Sequence, residues 1–205
     1  MSKTQEFLTI FKAAEEKYDK VQKRLAAEGW SEDWQILIAT IMSAQSRDET
    51  TIPIAENLFL KYPTLQSLGK AQFVEVLKIF KSLNYNKSKA KHVIEAAQYL
   101  VKHHKENIPN TIEKLIEIPG VGRKTANLVL SEVHNKPSIT VDTHVHRISN
   151  VLGLVKTQSP EQTEYALRKI APQETWSKIN RLFVLWGKDV PGKNKKKFLD
   201  KLKEN

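Results

Sequence analysis

Apolar residues recur at helical spacing along most of the chain. The clearest stripe lies in residues 89–103, where one helix face would carry Val93, Ala96, Ala97, Leu100 and Val101. Such a stripe indicates a helix with one buried side. The same spacing predicts helices over residues 4–27, 47–61, 70–81, 161–171 and 175–187.

The segment 34–42, WQILIATIM, is apolar almost all round. A helix of that kind is buried on most sides, so we expect it to be the central helix of a core. Only residues 138–141 look extended, and one short β-branched run does not make a sheet. The pattern therefore predicts an all-α fold.

Composition narrows the class of protein. The chain has 205 residues, 40% of them hydrophobic, which is enough for one or two compact domains. Lys and Arg number 33 against 23 for Asp and Glu, which gives a formal charge of +10. This excess favours a polyanionic partner without identifying it, because ribosomal and membrane-surface proteins show a similar excess.

The chain contains no cysteine, which excludes disulfides, thiolate zinc sites and cysteine-ligated iron-sulfur clusters. We expect no cofactor. The N-terminus is polar, and no apolar run reaches membrane-spanning length. We therefore expect a soluble, cytoplasmic protein, associated with the nucleoid if the source is bacterial. We also expect a monomer.

A tight turn is predicted between two apolar segments near residue 120. Pro119 prevents a preceding helix from continuing, and Gly120 and Gly122 permit conformations and close approaches that a side chain would block. Helical spacing resumes at about Val121, so unpaired amides gather at the turn and Lys124 stands near the start of the next helix. Such amides can bind a phosphate-sized anion. An ordinary helix-loop-helix corner would show the same pattern.

Asp142 follows a β-branched run and precedes a helical segment that continues to about Leu152. An Asp in that place is well suited to cap the helix N-terminus. A capping carboxylate can also take part in chemistry, because amide donors and the helix dipole stabilise its ionised form. Both roles stay open from the residues alone.

The segments IPGVGRKTANLVL (118–130) and VDTHVHR (141–147) together resemble the helix-hairpin-helix DNA glycosylases, most closely the endonuclease III branch. SAQSRD (43–48) and NYNKSKA (84–90) fall where that family places loops that enter the duplex. The resemblance covers residues 31–154. The chain departs from most endonuclease III members at its C-terminus, where they carry a four-cysteine cluster and it carries none.

In this family the lysine of the hairpin helix attacks C1′ of the sugar and the aspartate assists, which implies these roles for Lys124 and Asp142. We expect the charge of Asp142 to stabilise the cationic sugar as the base departs. A lysine that only binds phosphate is the alternative for Lys124. Glu117 matches a family position linked to proton traffic in the pocket, although a solvated carboxylate at a helix end needs no such role.

An enzyme that acts on a base within a duplex must extrude the base and fill the gap. The resemblance places Gln45 at the widowed base and Asn84 and Tyr85 in a wedging loop, where the family often has leucine. A polar residue at a helix end and a packed loop tyrosine are the alternatives. The other DNA contacts that we expect are Gly120, Val121, Gly122, Arg123, Lys124, His144 and Arg147.

We expect no catalytic metal, because histidines two apart on a helix, such as His144 and His146, do not point the same way. The hairpin motif elsewhere holds a monovalent cation against a DNA phosphate. By resemblance, the carbonyls of Ile118 and Val121 are the candidate ligands here.

The resemblance implies a central helical domain over residues 29–136, which contains the hairpin, and a second helical domain formed by residues 1–28 and 137–205. Lys124 and Asp142 would then face each other across an interdomain cleft, a common ligand site.

The expected function is that of a bifunctional DNA glycosylase and abasic-site lyase of base excision repair. Its substrate would be double-stranded DNA with a damaged base, most readily an oxidised pyrimidine, or an abasic site. The reaction would pass through a lysine Schiff base and β-elimination. The alternatives are a monofunctional uracil or thymine mismatch glycosylase and a non-catalytic DNA-binding module.

The C-terminal segment is rich in lysine, with Phe198 and Leu202 four positions apart. This spacing predicts a short amphipathic helix that docks through those two residues and leaves most lysines outside. By analogy with family members that carry the cluster, we expect those lysines to face DNA. A frayed terminus is the alternative.

Overall fold

A computed structural model describes residues 2–203 of the chain. Its helices are α1 (Lys3–Tyr18), α2 (Asp33–Ser43), α3 (Asp48–Lys61), α4 (Leu65–Gly69), α5 (Phe73–Ile79), α6 (Asn86–His104), α7 (Ile112–Leu115), α8 (Arg123–Glu132), α9 (Thr143–Val151), α10 (Pro160–Ile170), α11 (Trp176–Asp189) and α12 (Lys195–Lys203). A 3-10 turn at Gln173–Thr175 precedes α11. Residues 2–203 contain no β-strand, which confirms the all-α fold.

The chain packs as two compact units. Residues 24–135 form one, which we call the hairpin unit, and residues up to 23 together with those from 136 onward form the other, the terminal unit. Residues 138–141, the one run that looks extended in the sequence, belong to no helix or strand. Over residues 2–203, every helix is too short or too polar to cross a membrane.

Helix α2 lies at the centre of the hairpin unit, as its apolar sequence predicts. Leu37, Ile38 and Met42 are completely buried, and α2 packs against α3, α6 and α8. Helix α6 buries the stripe that begins at Val93 and reaches Leu100. The two most regular apolar patterns of the chain therefore form the core that carries the hairpin.

The helix predicted over residues 70–81 is shorter than expected and follows a separate short helix. Thr64 Oγ1 accepts a hydrogen bond from the Ser67 amide at 3.1 Å, and Ser67 Oγ accepts one from the Thr64 amide at 3.1 Å. This reciprocal capping starts α4. The chain then leaves helical geometry and begins α5 at Phe73. Apolar spacing alone does not reveal the break.

The N-terminal helix was predicted to reach residue 27, and this prediction is wrong. Helix α1 ends at Tyr18. Beyond it, the guanidinium of Arg181 donates hydrogen bonds to the carbonyl of Val21 at 2.8 Å and to that of Lys23 at 3.2 Å. These carbonyls accept hydrogen bonds from a side chain of α11 instead of from amides one helical turn ahead. The backbone at residues 21–25 is therefore not helical.

The terminal unit has its own core, made by α1, α9, α11 and α12. Phe7, Phe183, Trp186 and Phe198 are completely buried there. The rings of Trp186 and Phe198 meet edge to face with centroids 5.4 Å apart. Leu202 is partly buried against the same cluster. Docking of the C-terminal helix through Phe198 and Leu202 is therefore confirmed, and the last helix is part of the core.

Candidate active site

The hairpin is closed by backbone hydrogen bonds at its turn. The Ile118 amide donates to the Leu115 carbonyl at 3.1 Å, and the Val121 amide donates to the Ile118 carbonyl at 3.0 Å. Helix α8 then begins with the hydrogen bond from the Ala126 amide to the Gly122 carbonyl at 2.9 Å. The chain reverses within a few residues and enters α8 with its N-terminus at the turn.

The two glycines of the turn differ in what they require. Gly120 has a φ of +82°, and a Cβ there would lie 2.7 Å from Cβ of His92, so the fold excludes a side chain. Gly122 has a φ of −98°, and a Cβ there would meet nothing within 4 Å. Among residues 2–203, no contact requires a glycine at this second position. The missing side chain leaves the backbone at the start of α8 open to an approaching group.

Lys124 is the second residue of α8 and is exposed. It forms no hydrogen bond or ion pair with another side chain of residues 24–135. The N-cap residue, Gly122, provides no capping side chain. An accessible, unpaired primary amine is what nucleophilic attack by lysine needs once the amine has lost its proton.

Asp142 is the N-cap of α9, as predicted. Its Oδ1 accepts a hydrogen bond from the Val145 amide at 2.8 Å, and the side chain is half-buried. The cap uses one carboxylate oxygen. Capping is therefore confirmed, and the second oxygen remains for the charge-stabilising role that the sequence leaves open.

His144 and Arg147 lie one turn apart on α9, within the terminal unit. The guanidinium of Arg147 donates to the carbonyls of Gly187 and Gly192, each at 2.8 Å, and lies over the ring of Phe198. Burial lowers the pKa of His144; Asp142 acts against this shift, while Arg147 and Lys188 add to it. Arg147 thus packs the C-terminal segment onto α9, and the DNA contacts of both residues stay predictions.

The two loops that the sequence assigns to the duplex are joined within the hairpin unit. Asn84 Nδ2 donates to the carbonyl of Gln45 at 2.7 Å. Gln45 and Tyr85 have φ values of 54° and 56°, a left-handed conformation that is uncommon outside glycine and often occurs at functional sites. Tyr85 is 66% exposed, so it is not a packed loop tyrosine. Gln45 lies beyond the end of α2 and is also exposed.

A buried lysine that the sequence pattern did not single out contacts one of these loops. Lys89 is only 4% exposed, and its Nζ donates to Oγ of Ser46 at 2.7 Å. Burial lowers the pKa of Lys89 to about 8. Lys89 stands four residues before Val93 on the apolar stripe of α6, and a charge in a buried register was the signal that could have identified it.

Glu117 is exposed and has a partner that the sequence did not suggest. The hydroxyl of Tyr99, on α6, donates to Glu117 Oε2 at 2.8 Å. The hydrogen bond to this carboxylate raises the pKa of Tyr99. Glu117 is therefore oriented from α6, and its link to proton traffic stays a prediction.

Two findings concern metals. Within residues 2–203, no three side chains of His, Cys, Asp or Glu converge as a metal site. The Ile118 carbonyl, a candidate ligand for a monovalent cation, accepts the Val121 amide and keeps a second lone pair. The cation site stays a prediction.

Comparison with known proteins identifies the family. The model of the HhH-GPD superfamily of base excision DNA repair proteins matches residues 38–173. The chain belongs to the HhH-GPD superfamily. Within it, endonuclease III of Thermotoga maritima is 41% identical over 160 residues, which cover 78% of this chain and 75% of the relative.

Two solved structures agree with the fold. A trapped covalent intermediate of endonuclease III with DNA, an estranged-adenine complex, is similar with a TM-score of 0.85 at 28% identity, over 92% of this chain and 88% of that chain. A thermostable thymine-DNA glycosylase, 18% identical with a TM-score of 0.77, shares the fold over 94% of this chain and 90% of its own. The superfamily match spans the hairpin and Asp142 but ends before α11.

Proposed function

We propose that the chain is a bifunctional DNA glycosylase and abasic-site lyase of the endonuclease III type, with Lys124 as the nucleophile. One observation carries the proposal: the turn at residues 118–122 presents an exposed, unpaired lysine at the uncapped start of α8. The similarity to endonuclease III of Thermotoga maritima, at 41% identity, supports the same activity. The trapped covalent complex of a relative with DNA supports a covalent step.

The reaction divides into two steps. The neutral amine of Lys124 attacks C1′, the bond from C1′ to the base breaks, and the base leaves with the bonding electrons and takes up a proton. Opening of the sugar ring gives an imine between Lys124 and C1′. Loss of a proton from C2′ then expels the 3′ phosphate, which cuts the strand by β-elimination. Release of the imine by water regenerates the lysine.

Asp142 is the electrostatic partner in this proposal. As the base departs, positive charge develops on the sugar, and a fixed carboxylate stabilises it most effectively where no reorganisation is needed. The cap to Val145 fixes the carboxylate in this way. We assign Lys124 to a central domain of residues 29–136 and Asp142 to the second domain, with both residues acting on one nucleotide.

The substrate is double-stranded DNA with an oxidised pyrimidine or an abasic site, bound by a monomer. Gln45 and Tyr85 fill the space that the extruded nucleotide leaves, and both are exposed in left-handed conformations beside the hydrogen bond from Asn84 to the Gln45 carbonyl. The hairpin amides and Arg123 bind the phosphate backbone. A net charge of +10 supports this partner.

The test uses duplexes that each carry one lesion: an oxidised pyrimidine, a uracil, a thymine mismatch or none. Each is incubated with and without borohydride, and nicks are counted before and after alkali. Nicks without alkali and a borohydride adduct on the oxidised pyrimidine are expected. Base release that needs alkali for nicking would point to the monofunctional alternative. Binding without release would leave only a DNA-binding module.

A further inference from the structure

Lys89 combines burial with the lack of a counter-charge. It is 4% exposed, and Ser46 Oγ is its hydrogen-bond partner in the described chain, where no carboxylate pairs with it. A buried ammonium without an acid beside it is costly, and this cost lowers the pKa of Lys89 to about 8. The site therefore favours a negative group that is not part of this unit.

The charged groups around Lys89 do not supply the missing negative charge. The exposed Lys87 and Lys91 flank it on α6, and Arg47 follows Ser46 on the loop after α2. The nearest carboxylate in sequence, Asp48 at the start of α3, accepts a hydrogen bond from the Ala26 amide at 3.1 Å. Helices α2, α4 and α5 pack against α6. Helix α4 has no charged residue, and the charged residue of α2 is Asp33 at its first position, at the opposite end of α2 from Ser46. Helix α5 has Glu75, which pairs with Lys61 and Lys78.

Ser46 connects the buried ammonium to the surface. Its hydroxyl oxygen accepts from Lys89, which leaves the hydroxyl proton to be donated elsewhere. The side chain is partly exposed and follows Gln45, whose carbonyl is held by Asn84. The Ser46 hydroxyl can therefore donate at the surface that carries the two loops predicted to contact the duplex.

We propose that Ser46, with Lys89 behind it, is a phosphate-binding contact for the DNA backbone: the Ser46 hydroxyl donates to a phosphodiester oxygen while Lys89 donates to Ser46 Oγ and supplies the positive charge. The inference rests on the proposed function and adds a contact to it. A phosphate near Lys89 favours the ammonium form, so DNA binding raises the pKa of Lys89 and takes up a proton above pH 8.

The test measures affinity for a duplex with a tetrahydrofuran abasic analogue, and for the matched undamaged duplex, from pH 7 to pH 9 at constant salt. With a pKa of about 8, neutral Lys89 outnumbers the ammonium form by about ten to one in the free protein at pH 9. Because only the ammonium form supplies the charge, wild-type affinity should fall about tenfold between pH 7 and pH 9. Lys89→Met should bind more weakly at pH 7 and show a flat profile. Lys87→Met, which removes an exposed lysine of the same helix, should keep the wild-type slope.

Ser46 variants give an independent reading that does not depend on a buried substitution. Ser46→Ala should weaken binding several-fold at pH 7, and Ser46→Thr, which keeps the hydroxyl, should restore it. A wild-type pH slope in a folded Lys89→Met, or wild-type affinity in Ser46→Ala, would overturn the contact. Equal affinity of the wild type for both duplexes would overturn the proposed function instead. In that case the pH dependence of affinity for undamaged DNA would still decide whether Ser46 and Lys89 contact a phosphate.

Discussion

Two helices of this protein begin in opposite ways. Helix α8 starts at Gly122, which has no side chain to cap its amides, and carries Lys124 in its first turn. Helix α9 starts at Asp142, whose carboxylate accepts the Val145 amide at 2.8 Å. A side-chain cap contributes about 1 kcal/mol to helix stability, and α8 forgoes it.

The difference assigns a partner to each helix end. Uncapped amides at a helix N-terminus attract an anion. In the proposed function that anion is a backbone phosphate, and its binding brings Lys124 to the sugar. The capped end of α9 holds a carboxylate in a fixed position, which suits stabilisation of a developing cation. In the proposed function, the same local feature, a helix start, therefore serves substrate binding in one unit and charge stabilisation in the other.

The largest expected effect is that of Lys124→Gln. Nicking and borohydride trapping should fall to background, because the amide cannot form an imine. The melting temperature should not change, since Lys124 is exposed and unpaired within its unit. Lys114→Gln, an exposed lysine of α7, is the matched control and should keep both activities. Unchanged trapping in Lys124→Gln would transfer the nucleophile to another amine.

Substitution of Asp142 separates its cap from its charge. Asp142→Asn should keep the cap and lose little stability, whereas turnover should fall by about 10²- to 10³-fold. Asp142→Ala should lose similar activity and also about 1 kcal/mol of unfolding free energy. Single-turnover rates and urea unfolding measure the two effects. If turnover follows stability across both variants, Asp142 is only a cap.

The glycines of the hairpin should respond in opposite ways. Gly120→Ala should cost about 1–3 kcal/mol of unfolding free energy, because the φ of +82° and the contact with His92 both oppose a Cβ. Gly122→Ala should unfold like the wild type, since nothing lies within 4 Å of its Cβ. Its affinity for duplex DNA should nevertheless fall several-fold. Wild-type DNA affinity in Gly122→Ala would mean that the open start of α8 is not a phosphate site.

The smallest expected effect is on the pH dependence of stability, through His144 near the capped start of α9. Burial lowers the folded-state pKa of His144, so the unfolded chain binds a proton more readily. The contribution of His144 to the free energy of unfolding is therefore complete above the ordinary histidine pKa of about 6.5, and it is lost as the pH falls below that value. His144→Gln should flatten the fall in unfolding free energy between pH 7 and pH 5.5. An unchanged slope would contradict the assigned shift.

The sequence pattern predicted those features that depend on residues close together in the chain. The central α2, the stripe of α6, the cap at Asp142 and the docking of Phe198 all follow from spacing and capping chemistry. The end of α1 was missed because Arg181, distant in sequence, binds the carbonyls that follow it. The pairs Lys89 with Ser46 and Tyr99 with Glu117 were missed for the same reason, since each joins different elements.

The central claim is that the amine at the uncapped start of α8 becomes bonded to the sugar. The most direct measurement is peptide mapping by mass spectrometry of the wild-type protein after borohydride trapping on an abasic duplex and nuclease digestion. We expect the sugar remnant on the peptide that contains Lys124, as a reduced secondary amine on Nζ. A remnant on any other lysine or on the N-terminal amine, with Lys124 unmodified, would contradict the account.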